Sequence, residues 1–99
     1  MSQPLNWQCK ERVLSLQGEL VHSSLVNLWQ QRAQILQGID AIDLSQLSRV
    51  DSAGLALLVH FSADHHATEK LRLQGVTPSL LSLIRLYNLQ GVLLDHDNP

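Results

Sequence analysis

The sequence predicts an α/β domain, a four- to five-stranded, mostly parallel sheet with three helices. Two observations point to it. Short apolar runs of strand character alternate with segments whose apolar residues recur at helical spacing, in the order β-β-α-β-α-β-α with room for a last strand. Strands separated by helices need crossover connections, which make the pairing parallel. Size is the third observation: 99 residues support one compact core, so residues 1–99 are expected to form a single domain.

Each element has its own signal. Leu5, Trp7 and Cys9 alternate with Asn6 and Gln8, and Val13, Leu14 and Leu16 follow the charged stretch Lys10-Glu11-Arg12. Two short strands joined by a tight turn fit this pattern, with Gly18 ending the second. Ser23 and Ser24 are good N-cap types for a first helix carrying Leu25, Leu28, Trp29 and Leu36. Arg32 interrupts that stripe, and Gly38 stops the helix. Ile39, Ala41, Ile42 and Leu44 read as a buried central strand, followed by a loop from Ser45 to Val50. A second helix is expected from about Ala53 to Thr68, then a strand with Leu71, Leu73 and Val76. Thr77-Pro78 starts a third helix, with Leu80, Leu83, Ile84 and Tyr87 at i, i+3, i+4, i+7 and Asn88 as its stop. Val92 to Leu94 is read as a short edge strand and Asp95 to Pro99 as a loose tail.

Composition bounds the function. With 44% hydrophobic and 16% charged residues the chain is globular rather than disordered. A formal net charge of −2 lacks the cationic footprint that nucleic acid or an anionic membrane surface requires. The lone Cys9 cannot form an internal disulfide, and with only Lys10 beside it an inert thiol is expected. Met1-Ser2-Gln3-Pro4 has no basic n-region, and the longest apolar run, Leu55 to Val59, is too short to span a bilayer. A cytoplasmic protein that does not insert into a membrane is the expectation; a partner would hold it there.

The chemistry-bearing residues gather at the start of the second helix, in Asp51-Ser52-Ala53-Gly54-Leu55. Asp51 or Ser52 serves as the helix cap, worth about 1 kcal/mol, and Gly54 permits close backbone approach. The same place suits regulation. A phosphate on Ser52 would add about −2 charge beside Asp51, which repels it, so the site suits disrupting a contact. The helix itself has apolar residues in excess: Leu55, Leu58, Val59 and Ser62 share one face, and Ala53, Leu57 and Phe61 another. Either the helix is buried on nearly all sides, or Leu57 and Phe61 form an exposed patch for a partner, with His60 and Asp64 on its rim. Trp29 has the same two readings, core residue or partner anchor.

Gly18-Glu19-Leu20, Ile42-Asp43-Leu44-Ser45 and Val50-Asp51-Ser52-Ala53-Gly54-Leu55 together resemble the pattern of the STAS domain family, which includes bacterial anti-sigma factor antagonists and subunits of some transporters. The resemblance covers nearly the whole chain, and it makes Ser52 the position of the antagonists' phosphoacceptor. Leu28-Trp29, Gly54-Leu55-Ala56-Leu57-Leu58, His60, Leu73-Gln74-Gly75-Val76 and Leu86-Tyr87-Asn88-Leu89 look most similar to the small STAS subunits of ABC-type phospholipid transporters of Gram-negative bacteria. That likeness implies a non-catalytic subunit that binds the transporter's ATPase, and through it the membrane permease, in maintaining outer-membrane lipid asymmetry. The surface around Ser52 is the expected contact, with Asp51, Ser52, Ala53, Gly54, Leu57, Phe61 and Trp29 as partner-binding residues; the likeness does not imply direct lipid contact. The alternative is an anti-sigma factor antagonist switched at Ser52. Val21, where the antagonists commonly have Asp, departs from that pattern.

Other constellations point to no enzyme, metal or cofactor. Adjacent His65 and His66 diverge by about 100° on a helix and do not converge on a metal. His96 and Asp97 fall in the tail. Asp43 and Asp51 flank one expected loop, but a carboxylate pair would also need a cleft and split pKa values. Neither a Walker A loop nor G-x-G-x-x-G is present, and Ser52 lacks the G-x-S-x-G elbow of a hydrolase.

Overall fold

The computed structural model describes residues 4–64 and 71–94. The strands β1 (Asn6–Lys10), β2 (Val13–Leu20), β3 (Ala41–Val50) and β4 (Arg72–Gln74) form one sheet in the order β1-β2-β3-β4. β1 pairs antiparallel with β2; the β2–β3 and β3–β4 pairs are parallel. The helices are α1 (Val26–Gln30), α2 (Arg32–Gln37), α3 (Ser52–Asp64), α4 (Pro78–Leu86) and α5 (Gln90–Leu93). The α/β class and the mostly parallel sheet are as the sequence predicts.

Alternation along the strands assigns the two sheet faces. Gln8, Ser15, Asp43 and Gln74 stand in register across all four strands and make a polar face. The adjoining register row, Cys9, Leu14, Ile42 and Leu73, lies on the opposite, apolar face. Leu14, Leu16, Ile42 and Leu44 on that face join one core with Leu28, Leu58, Phe61, Leu80 and Ile84 of the helices.

The β1–β2 turn places two non-glycine residues, Glu11 and Arg12, at positive φ. That geometry suits the twist of a two-residue hairpin, but it is strained for side chains of this type. Arg12 is held from outside: its guanidinium donates to both carboxylate oxygens of Asp40 (2.7 and 2.9 Å), and its carbonyl accepts from the Asp40 N–H (2.8 Å). The hairpin turn is thereby fixed to the entry of β3.

Several elements differ from the sequence expectation. β2 does not stop at Gly18 but runs to Leu20, with register shifts on either side of Gly18. Gly18 has φ +95°, and a Cβ there would meet the Pro4 carbonyl oxygen at 2.1 Å, so only glycine lets the strand pass. The expected loop 45–50 is the second half of β3. Its polar residues look loop-like, but pairing with Gln17–Leu20 of β2 supplies the strand's hydrogen bonds.

The helices differ as well. The expected first helix is two, broken at Gln31, and neither Ser23 nor Ser24 caps it; Ser24 Oγ instead donates to the Glu19 carbonyl at 2.6 Å. The expected edge strand at Val92–Leu94 is the short helix α5, because Leu89 and Leu93, one turn apart, both pack on the core. Thr77 caps α4 as expected, accepting from Leu80 N–H, and Asn88 follows α4 at positive φ. The expected end of the second helix at Thr68, the pair His65-His66 and the tail 95–99 lie outside the described residues.

Gly54 marks the closest packing of helix on sheet. A Cβ on Gly54 would fall 2.1 Å from the Leu20 carbonyl oxygen, a backbone atom that cannot step aside. Gly54→Ala should therefore destabilise the fold by about 2–3 kcal/mol, whereas Gly91→Ala, with open space around it, should be neutral or stabilising by up to about 1 kcal/mol. Urea unfolding of the two variants beside wild type checks both.

Candidate functional site

The end of β3 and the start of α3 are joined by Asp51. Its Oδ1 accepts from the Gly54 N–H (2.9 Å), which caps α3, and its Oδ2 accepts from the His22 N–H (3.0 Å) just beyond β2. Partial burial works to raise the Asp51 pKa. Hydrogen bonds from the N–H groups of His22, Gly54 and Ala53, with the charge of Arg49, outweigh it, and the carboxyl sits below its ordinary value. Asp51, not Ser52, is thus the cap. Ser52 occupies the first position of the helix, exposed. No hydrogen bond to its hydroxyl is present among the described residues.

Ser52 opens onto an apolar groove of about 330 Å³ between α3 and the corner joining α4 to α5. Leu55, Ala56 and Val59 line it from α3, Tyr87 and Leu89 from the corner, and Ser52 and His60 complete the wall. Ser52, Ala56 and His60 form one exposed row at i, i+4, i+8 along α3. Tyr87 of the groove wall is 51% exposed, and Leu86 and Val92 of the same α4–α5 segment are 75% and 42% exposed.

On the far side of His60 the wall continues into the first two helices. The rings of His60 and Trp29 meet edge to face with centroids 5.3 Å apart. The Arg32 guanidinium lies 3.9 Å from the Trp29 ring centroid and donates to the Trp29 carbonyl at 2.9 Å. Trp29 is half-buried: its ring packs on the core and also backs this wall.

The structure keeps part of the predicted site together and removes part. Asp51, Ser52 and Ala53 cluster at the start of α3 as expected. Gly54, expected at the partner surface, is instead buried against the Leu20 carbonyl of β2. Leu57 and Phe61 are not an exposed patch: they are 3% and 0% exposed and belong to the core. Of the two readings of this helix, burial on most sides is the one observed. Only the row Ser52, Ala56, His60, with Ala63 and Asp64 at its end, faces out. The sequence does not assign Ala56, Tyr87 and Leu89 to the site, although they line it. Ala56 was findable, since it lies one turn from Ser52, but the two corner residues are brought to α3 only by the tertiary fold.

The remaining candidates are dispersed. Asp43 lies near the start of β3 and Asp51 just past its end, roughly 20–25 Å apart at about 3.3 Å per residue with two bulges between them, so no carboxylate pair forms. Burial pushes the Cys9 thiol pKa up, away from the reactive thiolate.

Comparison with known proteins places this arrangement. The STAS family described as "Mlab, STAS domain" matches residues 5–95. The chain belongs to the MlaB STAS family. Among MlaB proteins, the intermembrane phospholipid transport system binding protein MlaB of Escherichia coli is 41% identical over 95 residues, 95% of this chain and 98% of that one. The protein of the same name from Haemophilus influenzae is 35% identical over 96 residues, 86% and 91% of the two chains. Among solved structures, an anti-sigma factor antagonist from Mycobacterium paratuberculosis superposes with TM-score 0.75 at 20% identity, covering 99% of this chain and 92% of that one. The Bacillus cell fate determinant SpoIIAA in its phosphorylated form gives 0.63 at 16%, covering 95% and 92%. At these identities the structural likeness concerns the fold alone.

Two outcomes follow from the geometry. Phe61→Ala should cost about 3–5 kcal/mol of stability as a core truncation, measured by urea unfolding. The Asp51 contribution should depend on pH. Because its folded pKa is lowered, the stabilisation is present above the ordinary carboxyl pKa and is lost as pH falls through the folded value. Asp51→Ala should therefore cost about 1 kcal/mol at pH 7 and less at pH 3, in paired denaturation curves.

Proposed function

We propose that this chain is a non-catalytic subunit that binds the ATPase of an ABC-type phospholipid transport system and supports its assembly and activity. The 41% identity, over 95% of the chain, to a protein named as a binding protein of an intermembrane phospholipid transport system carries this reading. In it the protein is cytoplasmic and sits at the inner membrane through its complex, in a system that maintains outer-membrane lipid asymmetry. Among the described residues no helix is long and apolar enough to cross a membrane.

The groove beside Ser52 is the face the reading assigns to the ATPase. It is apolar and open, Tyr87 lines it, and Trp29 and Arg32 stand behind His60; these are the residue types that dominate interface energetics. The contact would act by favouring one arrangement of the ATPase, a coupling free energy rather than a chemical step. A phosphate on Ser52 would oppose it. The Gly54 N–H at the helix start already donates to Asp51, so the phosphate would gain little there and would place about two negative charges on the rim of an apolar groove.

The anti-sigma antagonist reading shares the exposed Ser52 and the fold but has no sequence relative of comparable identity behind it. The two readings differ in the protein that binds. With the purified ATPase subunit, wild type should form a stable complex. Ser52→Asp and Ala56→Asp, both at exposed positions and each to be checked for folding by circular dichroism, should weaken it at least tenfold, a cost of about 1.4 kcal/mol or more. Undiminished binding by both variants would remove the groove as the contact. No complex with wild type would remove the transporter reading itself.

A further inference from the structure

Arg32 is an unusual cation. It is half-buried, lies flat on Trp29 and uses one donor on the Trp29 carbonyl. A guanidinium has five N–H donors in a planar fork that matches a carboxylate. No carboxylate of the described residues pairs with it; the ion pair present among them is Arg12–Asp40. Asp64 continues the exposed row of α3 past His60, and it too leaves Arg32 unpaired.

The position of this fork matters because it is one ring removed from the groove. His60 lines the groove, Trp29 backs His60 at 5.3 Å, and Arg32 covers Trp29. A helix is about 10–12 Å wide with its side chains. One seated between α3 and Tyr87 runs along the row Ser52, Ala56, His60, and a long side chain that it projects past His60 and Trp29 reaches the guanidinium and shields it from water. Burying a charge without a partner is costly, and no carboxylate of the described residues is in place to neutralise it. The occupant has to bring the anion.

From this we infer that the groove receives an amphipathic segment of the partner protein that presents an aliphatic side chain to Leu55, Ala56, Val59 and Leu89 and an Asp or Glu to Arg32. The aliphatic anchor supplies the buried area. The carboxylate, held bidentate by a guanidinium already oriented on Trp29, fixes which way the segment lies and discriminates against segments without an acid at that spacing. The inference rests on the groove being the ATPase contact proposed above.

The test is the affinity of the purified ATPase subunit for wild type, Arg32→Gln, Arg32→Lys and Ala56→Asp, at low and at moderate salt. Arg32→Gln should weaken binding at least tenfold at low salt and flatten its salt dependence, because the charge pair is gone. Arg32→Lys should fall between, retaining charge but losing the planar fork, and it guards against a loss caused by disturbed packing at Trp29. Substituting each surface acid of the ATPase in turn should yield one position whose loss has no further effect on Arg32→Gln. If Ala56→Asp abolishes binding while Arg32→Gln keeps wild-type affinity and salt dependence, the acidic occupant is overturned and the groove contact stands. If Ala56→Asp also binds normally, or wild type does not bind, the contact itself fails and the inference with it.

Discussion

The junction between β2, β3 and α3 is the constraint on which the site depends. Asp51 binds backbone N–H groups on both sides of it, at His22 and at Gly54, and its own N–H donates to the Leu20 carbonyl at 3.3 Å. Gly54 lets the helix backbone come to that same carbonyl without an intervening side chain. With both contacts made, the direction of α3 is set by the sheet, and Ser52 is left as the first helical residue facing outward. The cap, the close approach and the exposed hydroxyl are consequences of one short stretch, Asp51-Ser52-Ala53-Gly54.

From that junction the groove follows by helical geometry. Fixing α3 turns Leu57, Leu58 and Phe61 into the core and leaves the row Ser52, Ala56, His60 outside. The α4–α5 corner supplies the opposite wall because Leu89 and Leu93 pack inward while Tyr87 and Val92 remain exposed. A charge introduced on the row alters the groove without touching the core. This separation of buried from exposed residues within one helix leaves Ser52 open to substitution or modification with little effect on the fold.

Much of this was legible in the sequence and part was not, for physical reasons. Thr77-Pro78 announced α4, and the Asp51-Ser52-Ala53-Gly54 run announced α3, because caps are local chemistry. Leu57 and Phe61 were ambiguous because a helix with apolar residues on several faces does not say which face is covered; only the sheet and the neighbouring helices decide. The stretch 45–50 looked like a loop because its strand identity comes from pairing with residues about thirty positions away. Val92 suggested a strand by its branched side chain, yet the spacing of Leu89 and Leu93 against the core prevailed. Arg32, which broke the apolar stripe of the first helix, resolved into a cation stacked on Trp29, a contact that no linear pattern states.

In the proposed complex the transporter ATPase covers the exposed row of α3. Thiol footprinting tests it directly: an Ala56→Cys variant reports the groove, while the native Cys9, on the sheet edge, serves as an internal reference. In the complex with the ATPase, labelling at position 56 should fall at least tenfold, with Cys9 labelled as in the free protein. Equal labelling of position 56 in the free and the bound protein, with complex formation verified, would contradict the account.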